Sequence, residues 1–380
     1  MKFTIRQADL QAGLASAKRV TTHVMHPLLG GVLVETVDEG LLLTATDLEL
    51  TTRVKVAAEV QEDGQMVLPT ARLTDLVARL SGELSFEETE TAVTVRQGKS
   101  HFSVKKMRVQ DFPAGQDATG TALTISGVAW KKTARRVGIA ASSSQIRPQY
   151  AGVLVRAGAA SVTMVGFDTY RLAVEKIAAN TPDLAGTAEE IVIPFQAMRE
   201  IESMLGDDDD LTITWPASEM YMGKFEAPRF SVVTRLIDSK FPNFEKHIPK
   251  PVDCPLVIDR DRLIAALARA QLYTVQIRDD KDKLTLNAVV AFEANGQELI
   301  IEAESDEGNL HDVLLLEKPV EPKRKKFTAS YLAAPLKFLG PTVELHFTTG
   351  HSIPAIYREG DYLYMLQPIN DVEFDVPGGN

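Results

Sequence analysis

Cysteine is all but missing from this sequence. The 380-residue chain holds one, Cys254, so no disulfide can form within it, and neither Cys254 nor the seven dispersed histidines stand at metal-ligand spacing. Long apolar runs are also missing: none approaches the roughly 18 residues that a membrane helix needs. Met1-Lys2-Phe3-Thr4-Ile5-Arg6 goes straight into alternating apolar and charged residues, without the apolar stretch of a secretory signal, so a cytoplasmic protein is expected. Aromatic residues make up 7% and are sparse in the helical stretches, which argues against a platform for stacking single-stranded bases. Catalytic motifs fail on inspection. Gly98-Lys99-Ser100 ends like a phosphate-binding loop, but Val93 stands where its first glycine belongs. Asp207-Asp208-Asp209-Asp210 lacks the alternating ligands and closing glutamate of a calcium loop and reads as a solvated connection. Ser142-Ser143-Ser144 lacks the glycines of a nucleophile elbow. No enzyme, cofactor or metal is expected. Mutation of Asp47 or Asp168 abolishing a turnover would revive a hydrolase or nuclease reading, and a plain interaction scaffold is the other alternative.

What the chain does have is an internal repeat. Gly31-Val32-Leu33-Val34 returns as Gly152-Val153-Leu154-Val155, an offset of 121 residues, and in each copy an aspartate follows sixteen residues after the glycine, Asp47 and Asp168. Phe102-Ser103-Val104 returns as Phe230-Ser231-Val232, and Asp111-Phe112-Pro113 as Lys240-Phe241-Pro242. A third, more diverged copy has Ala288-Val289-Val290-Ala291 at the first strand, Asn295-Gly296 as a hairpin turn and Asp306 near the aspartate position.

Helical spacing of apolar residues predicts an opening helix in each copy, at 6–20, 127–141 and 259–273, and a second begins at Pro69, Pro194 and Thr328. Alternating stretches at 41–50, 162–174 and 211–215 read as half-buried strands. Each copy is therefore α+β. At about 100 to 200 residues per domain two or three domains are expected, and the polar, proline-bearing and glycine-bearing joints at 114–120 and 249–251 place them at 1–120, 121–251 and 252–380.

The formal charge is −11, from 41 Lys and Arg against 52 Asp and Glu, which alone opposes binding to phosphates. Yet the six helical stretches carry a combined +8 and leave −19 on the rest. Lys or Arg on one helix is ordinarily just a solvated face. Five of six helices leaning basic predicts one face for phosphates, held by sequence-blind contacts, and an acidic exterior.

The opening Met1-Lys2-Phe3-Thr4, Pro27-Leu28-Leu29-Gly30, Leu43-Thr44-Ala45-Thr46-Asp47-Leu48-Glu49 and the two Phe-Pro closes together resemble the bacterial sliding clamps, the beta subunits of DNA polymerase III, along essentially the whole chain. The resemblance implies three tandem copies of the DNA-clamp fold, helices inside and antiparallel sheets outside, closing a ring around duplex DNA as a head-to-tail homodimer. It implies a non-catalytic processivity factor of DNA replication. The DNA-facing residues would then be Arg72, Arg79, Lys131, Lys132, Arg135, Arg136, Arg199, Arg269 and Lys337, with His23 in a nearby loop.

The resemblance also implies a groove that takes short apolar peptides of the replicative polymerase, the clamp loader, repair polymerases and mismatch-repair or ligase-type proteins. Carried over, its lining is Tyr150, Phe167, Tyr170, Arg171, Leu172, Pro242, His247, Leu363, Tyr364, Met365 and Leu366. For Phe167 and Tyr170 the bland alternative is ordinary strand packing. The family pattern Thr-Asp-Gly-His-Arg-Leu is replaced here by Phe167-Asp168-Thr169-Tyr170-Arg171-Leu172, which changes the expected pocket shape, and an acidic tail follows from Asp371. Phe102, Leu272 and Tyr273 are the expected subunit contact.

Overall fold

A computed structural model describes residues 1–22, 24, 26–113, 115–142, 147–181, 190–216, 221–250, 255–278, 284–347 and 353–369. His23, Cys254 and the tail from 370 lie outside the described residues.

The first copy runs β1 (Lys2–Arg6), α1 (Gln7–Thr21), β2 (Gly31–Val37), β3 (Gly40–Thr46), β4 (Leu50–Val56), β5 (Glu59–Glu62), β6 (Gln65–Pro69), α2 (Thr70–Val77), β7 (Glu83–Glu88), β8 (Ala92–Gln97) and β9 (Ser100–Lys105). The second repeats it as β10 (Gly120–Ser126), α3 (Gly127–Gly138), β11 (Gly152–Gly158), β12 (Ser161–Phe167), β13 (Arg171–Ala178), β14 (Glu190–Pro194), α4 (Phe195–Met204), β15 (Asp210–Pro216), β16 (Met222–Ala227) and β17 (Phe230–Arg235). The third runs β18 (Leu256–Asp259), α5 (Arg260–Ala270), β19 (Val275–Arg278), β20 (Leu284–Asn287), β21 (Val289–Ser305), β22 (Gly308–Thr328), α6 (Ala329–Ala333), β23 (Thr342–His346), β24 (Ala355–Glu359) and β25 (Tyr362–Leu366).

Local chemistry explains these elements. In α1 the helical spacing of Leu10, Leu14, Ala17 and Val20 buries one stripe, and α5 starts where the Asp259 carboxylate accepts from the Arg262 amide at 2.8 Å. The expected helix after Thr328 is cut to five residues, because Pro335 brings no amide donor to continue it. The alternating stretches at 41–50 and 162–174 each break at their aspartate. Asp47 accepts from the Glu49 and Leu50 amides, and Asp168 from those of Tyr170 and Arg171. The residue after each aspartate takes a left-handed conformation, Leu48 at φ 79° and Thr169 at φ 80°. The repeated glycine is required by close approach: a Cβ on Gly152 would lie 2.4 Å from the Ile193 oxygen, and one on Gly31 2.7 Å from Val67 Cγ1. Asn295-Gly296, expected to turn a hairpin, falls within the span of β21, with Gly296 at φ 58° where the register against β22 shifts.

The chain divides into two compact units that cut across the copies: 1–131 with 179–189 and 196–236, and 132–178 with 190–195 and 237–380. The reason is that sheets are shared. In the first unit an eight-stranded sheet runs β10-β15-β16-β17-β4-β3-β2-β6, joining four strands of the second copy to four of the first, beside a five-stranded sheet β5-β1-β7-β8-β9. In the second unit an eight-stranded sheet runs β14-β11-β12-β13-β25-β24-β23-β18, joining the second copy to the third, beside the pairs β19-β20 and β21-β22. The joining ladders correspond residue for residue: Thr51 pairs with Val233, and Leu172 with Met365.

Candidate functional site

Each shared sheet has a face turned to helices and a face turned away from them. In the second unit Gly166, Ala173 and Tyr364 share the helix face: a Cβ on Gly166 would meet the Val137 oxygen of α3 at 2.1 Å, and the Tyr364 hydroxyl donates to the Tyr331 carbonyl of α6 at 2.9 Å. The opposite face carries Leu154, Val165, Phe167, Leu172, Leu363 and Met365, all buried in one cluster with Phe241 and Phe244 of the segment that follows β17. Tyr150 packs edge-on against Phe167 with ring centroids 5.4 Å apart, and His247 lies 5.8 Å from Phe167 on its other flank. Pro242 is half-buried, and His247 is exposed.

Strand periodicity corrects the expected lining here. Successive side chains point to opposite faces, so Leu363, Tyr364, Met365 and Leu366 cannot all line one groove. Leu363 and Met365 join the apolar cluster, whereas Tyr364 turns to the helix face, 6.4 Å from the Tyr357 ring, and Leu366 is fully buried outside the cluster. Tyr170 and Arg171 likewise stand apart from it. The Arg171 guanidinium donates to Asp168 Oδ2 through Nε at 2.8 Å and Nη2 at 2.5 Å, and lies 3.9 Å from the Tyr331 ring centre, while Tyr170, 38% exposed, flanks the same ring. Burial disfavours both charges. It raises the Asp168 carboxyl above the ordinary carboxylate value; at Arg171, pairing with Asp168 outweighs burial and carries the guanidinium above its ordinary value. Tyr331 is a neighbour the sequence did not single out, because α6 is 160 residues from Arg171.

The basic residues separate by burial. Arg72, Arg79, Lys132, Arg135, Arg199, Arg269 and Lys337 are exposed. Lys131 is half-buried and pairs with Asp207 at 2.6 Å, and Arg269 pairs with Asp312. Arg136 departs from the expectation of a DNA-facing residue. It is 5% exposed, donates to Glu175 at 2.7 Å and to the Phe338 carbonyl at 2.7 Å, pairs with Glu359, and lies over the Tyr362 ring. An arginine so enclosed braces α3 against the third copy and presents almost no surface to solvent.

Two of the sheet edges among the described residues correspond to strands that are paired across copies elsewhere in the chain. β9 pairs only with β8, and Gly308–Leu315 of β22 pairs only with β21. Phe102 on β9 and Tyr273 after α5 are half-buried, while Leu272 is 71% exposed. The β22 edge adds Val313 and Leu315, 44% and 64% exposed, which sequence reading missed inside the run Val313-Leu314-Leu315-Leu316. Alternation was the available signal: Leu314 and Leu316 are buried, and their neighbours must then face outward. Among the described residues no group of three or more His, Cys, Asp or Glu is placed to hold a metal, and no helix is long and apolar enough to cross a membrane.

Comparison with known proteins agrees with this architecture. Residues 1–116 match the N-terminal domain of the DNA polymerase III beta subunit, and residues 124–243 its central domain. The beta sliding clamp of Synechococcus elongatus is 28% identical over 97% of this chain and 99% of its own length. That of Chlamydia muridarum is 30% identical over 72% of this chain and 75% of its own. Among solved structures, the sliding clamp of Pseudomonas aeruginosa bound to griselimycin superposes with a TM-score of 0.87 at 22% identity, covering 97% of this chain and 99% of that one. The Bacillus subtilis clamp does so with a TM-score of 0.84 at 21% identity, at the same coverage. With the shared sheets, the repeat and these matches in hand, the chain belongs to the DNA polymerase III beta subunit family, the bacterial sliding clamps.

Proposed function

We propose that two copies of this chain join head to tail into a ring around duplex DNA and tether the replicative polymerase to it, without catalysing any step. The observation that carries this reading is the pairing pattern. Twice within the chain, the last strand of one copy pairs with an inner strand of its neighbour: β17 with β4, and β25 with β13. β9 is the matching last strand of the first copy, and Gly308–Leu315 the matching inner strand of the third, so one chain supplies both halves of a joint that a second chain would complete. Leu272, Val313, Leu315 and Phe102 would then be covered, which also removes two aggregation-prone edges. In this reading the three clamp domains are 1–120, 121–251 and 252–380, and Arg72, Arg79, Lys132, Arg135, Arg199, Arg269 and Lys337 face the DNA. Contacts of this kind hold phosphates without reading bases, as sliding requires.

The apolar face of the second unit is the proposed docking groove. Phe167, Leu172, Leu363 and Met365 form its floor, Tyr150, Pro242 and His247 its walls, and Tyr170, Arg171 and Tyr331 a polar and aromatic margin. Short apolar segments of the polymerase, the clamp loader and repair proteins are its proposed ligands. A tether raises the partner's effective concentration on DNA without new contacts to it. The test is retention on nicked circular DNA after loading with a clamp loader and ATP, repeated after linearisation. Loss on linearisation is the expected result. Equal retention on both forms would mean that affinity holds the protein, and the ring would be abandoned.

A further inference from the structure

The groove wall carrying His247 is a single four-residue turn, Phe244–His247, with little structure of its own. What holds it is ionic. Arg156 lies on β11 two residues beyond Leu154, on the same face of the sheet and at the rim of the apolar cluster. Its Nη1 donates to Glu245 Oε1 at 2.7 Å, while Nε and Nη2 donate to Glu190 Oε2 at 3.2 and 3.1 Å. Its guanidinium carbon also stands 5.4 Å from the Phe244 ring centre. One side chain thus grips two consecutive residues of the turn and anchors them to β14. Phe244 packs edge-on against Phe241 at 6.4 Å, and three residues on His247 meets Phe167.

We propose that Arg156 is a positioning residue for partner binding, which fixes the Phe244–His247 turn and so sets the groove wall without itself contacting the bound segment. The inference rests on the groove reading above. The first copy argues that the arrangement is specific to this site. There Glu35 holds the strand position of Arg156, and its ladder partner is Gln65 where Arg156 has Glu190, so no such grip exists. The hydrogen bond from Arg156 also holds the Glu245 carboxyl below its ordinary value. Arg156 and both carboxylates are partly exposed, so salt weakens the grip.

The experiment is a fluorescence-anisotropy titration of the full chain with a fluorescein-labelled nonapeptide carrying one Leu-Leu-Phe stretch between polar flanks. Arg156→Gln, Arg156→Lys, Glu245→Gln and the double variant Arg156→Gln/Glu245→Gln are compared with the parent chain, and Phe167→Leu serves as the groove control. Loss of an exposed ion-pair network predicts about 5-fold weaker binding for each Gln variant. Because both act through one link, the double variant is expected to lose no more than either single one. Arg156→Lys restores part of the affinity, and salt raised from about 50 to 500 mM weakens the parent chain but not Arg156→Gln. Hydrogen exchange at residues 244–248 is expected to quicken in Arg156→Gln while that of β11 is unchanged.

Additive losses, or unchanged affinity in Arg156→Gln, would overturn the proposal, as would unchanged exchange at the turn. If the parent chain itself fails to bind the peptide, or Phe167→Leu binds as well as the parent, the groove reading falls and the proposal with it. Exchange at 244–248 would still report separately whether Arg156 holds the turn.

Discussion

The two shared sheets have the same strand order and register, yet their faces away from the helices differ in chemistry position by position. Where the second unit has Phe167, Leu172, Val174, Leu363 and Met365, the first has Thr46, Thr51, Arg53, Ser231 and Val233. Thr46 and Thr51 hydrogen-bond to each other at 2.9 Å, and both are buried. The chain itself occupies this face: a Cβ on Gly115 would meet Thr51 Cγ2 at 3.1 Å, and Arg53 donates to the Gln116 carbonyl at 3.1 Å. One topology therefore yields a polar face in the first unit and an apolar one in the second. Topology sets where a groove can form, and side-chain polarity decides which of the two positions becomes one.

The sharpest way to break this contrast is at its matched floor positions. Phe167→Ala should cost about 3–5 kcal/mol of stability and abolish peptide capture, whereas Thr46→Ala, losing the hydrogen bonds to the Thr51 hydroxyl and from the Leu48 amide, should cost about 1–2 kcal/mol. Guanidinium denaturation of both variants checks this, and equal costs would refute the contrast. A comparable effect is expected at Arg136. Arg136→Ala leaves Glu175 buried without its partner and should cost about 3–5 kcal/mol. Lys132→Ala should instead leave stability unchanged and reduce the salt slope of DNA binding by about one, measured on short duplexes.

A pH scan separates the second unit in another way. Burial lowers the Lys325 ammonium, which donates to the Ile353 carbonyl at 2.6 Å, to about 8. The unfolded value is about 10.4, so between these limits the unfolded chain holds the extra proton and stability rises with pH. Between about pH 8 and 10 the melting temperature of the parent chain should therefore rise relative to Lys325→Met. The smallest effect tests the feature that the two sheets share. Leu48→Gly and Thr169→Gly each relieve a left-handed backbone and should stabilise by about 0.5–1 kcal/mol in urea titrations. A gain at one position alone would show that the two turns are not equivalent.

Much of this was legible in the residues. The offset of 121 between Gly31 and Gly152 aligns the two sheets correctly, whereas the strands expected at 41–50 and 162–174 run through Asp47 and Asp168, where the structure turns. What escaped was partnership across long stretches of chain. Arg136 looks like its neighbours Lys132 and Arg135 until Glu175 and Glu359, 39 and 223 residues away, close around it. Leu363 to Leu366 read as one apolar block, although a period of two already divides it. Arg156 gave no signal, since Glu190 and Glu245 are unremarkable acids until the turn at Phe244 brings one of them over the strand.

Sheet sharing also dictates an order of events at the ribosome. β4 is complete at Val56 but waits for β17, which ends at Arg235, and β13, complete at Ala178, waits for β25 near the end of the chain. The first two copies therefore each emerge with one strand edge open for almost half of synthesis. During that time the open edge is available to pair with another chain. A gene shortened at residue 120 would for the same reason release a β4 edge with nothing to close it, so the copies that recur so plainly in the sequence are not independent units of folding.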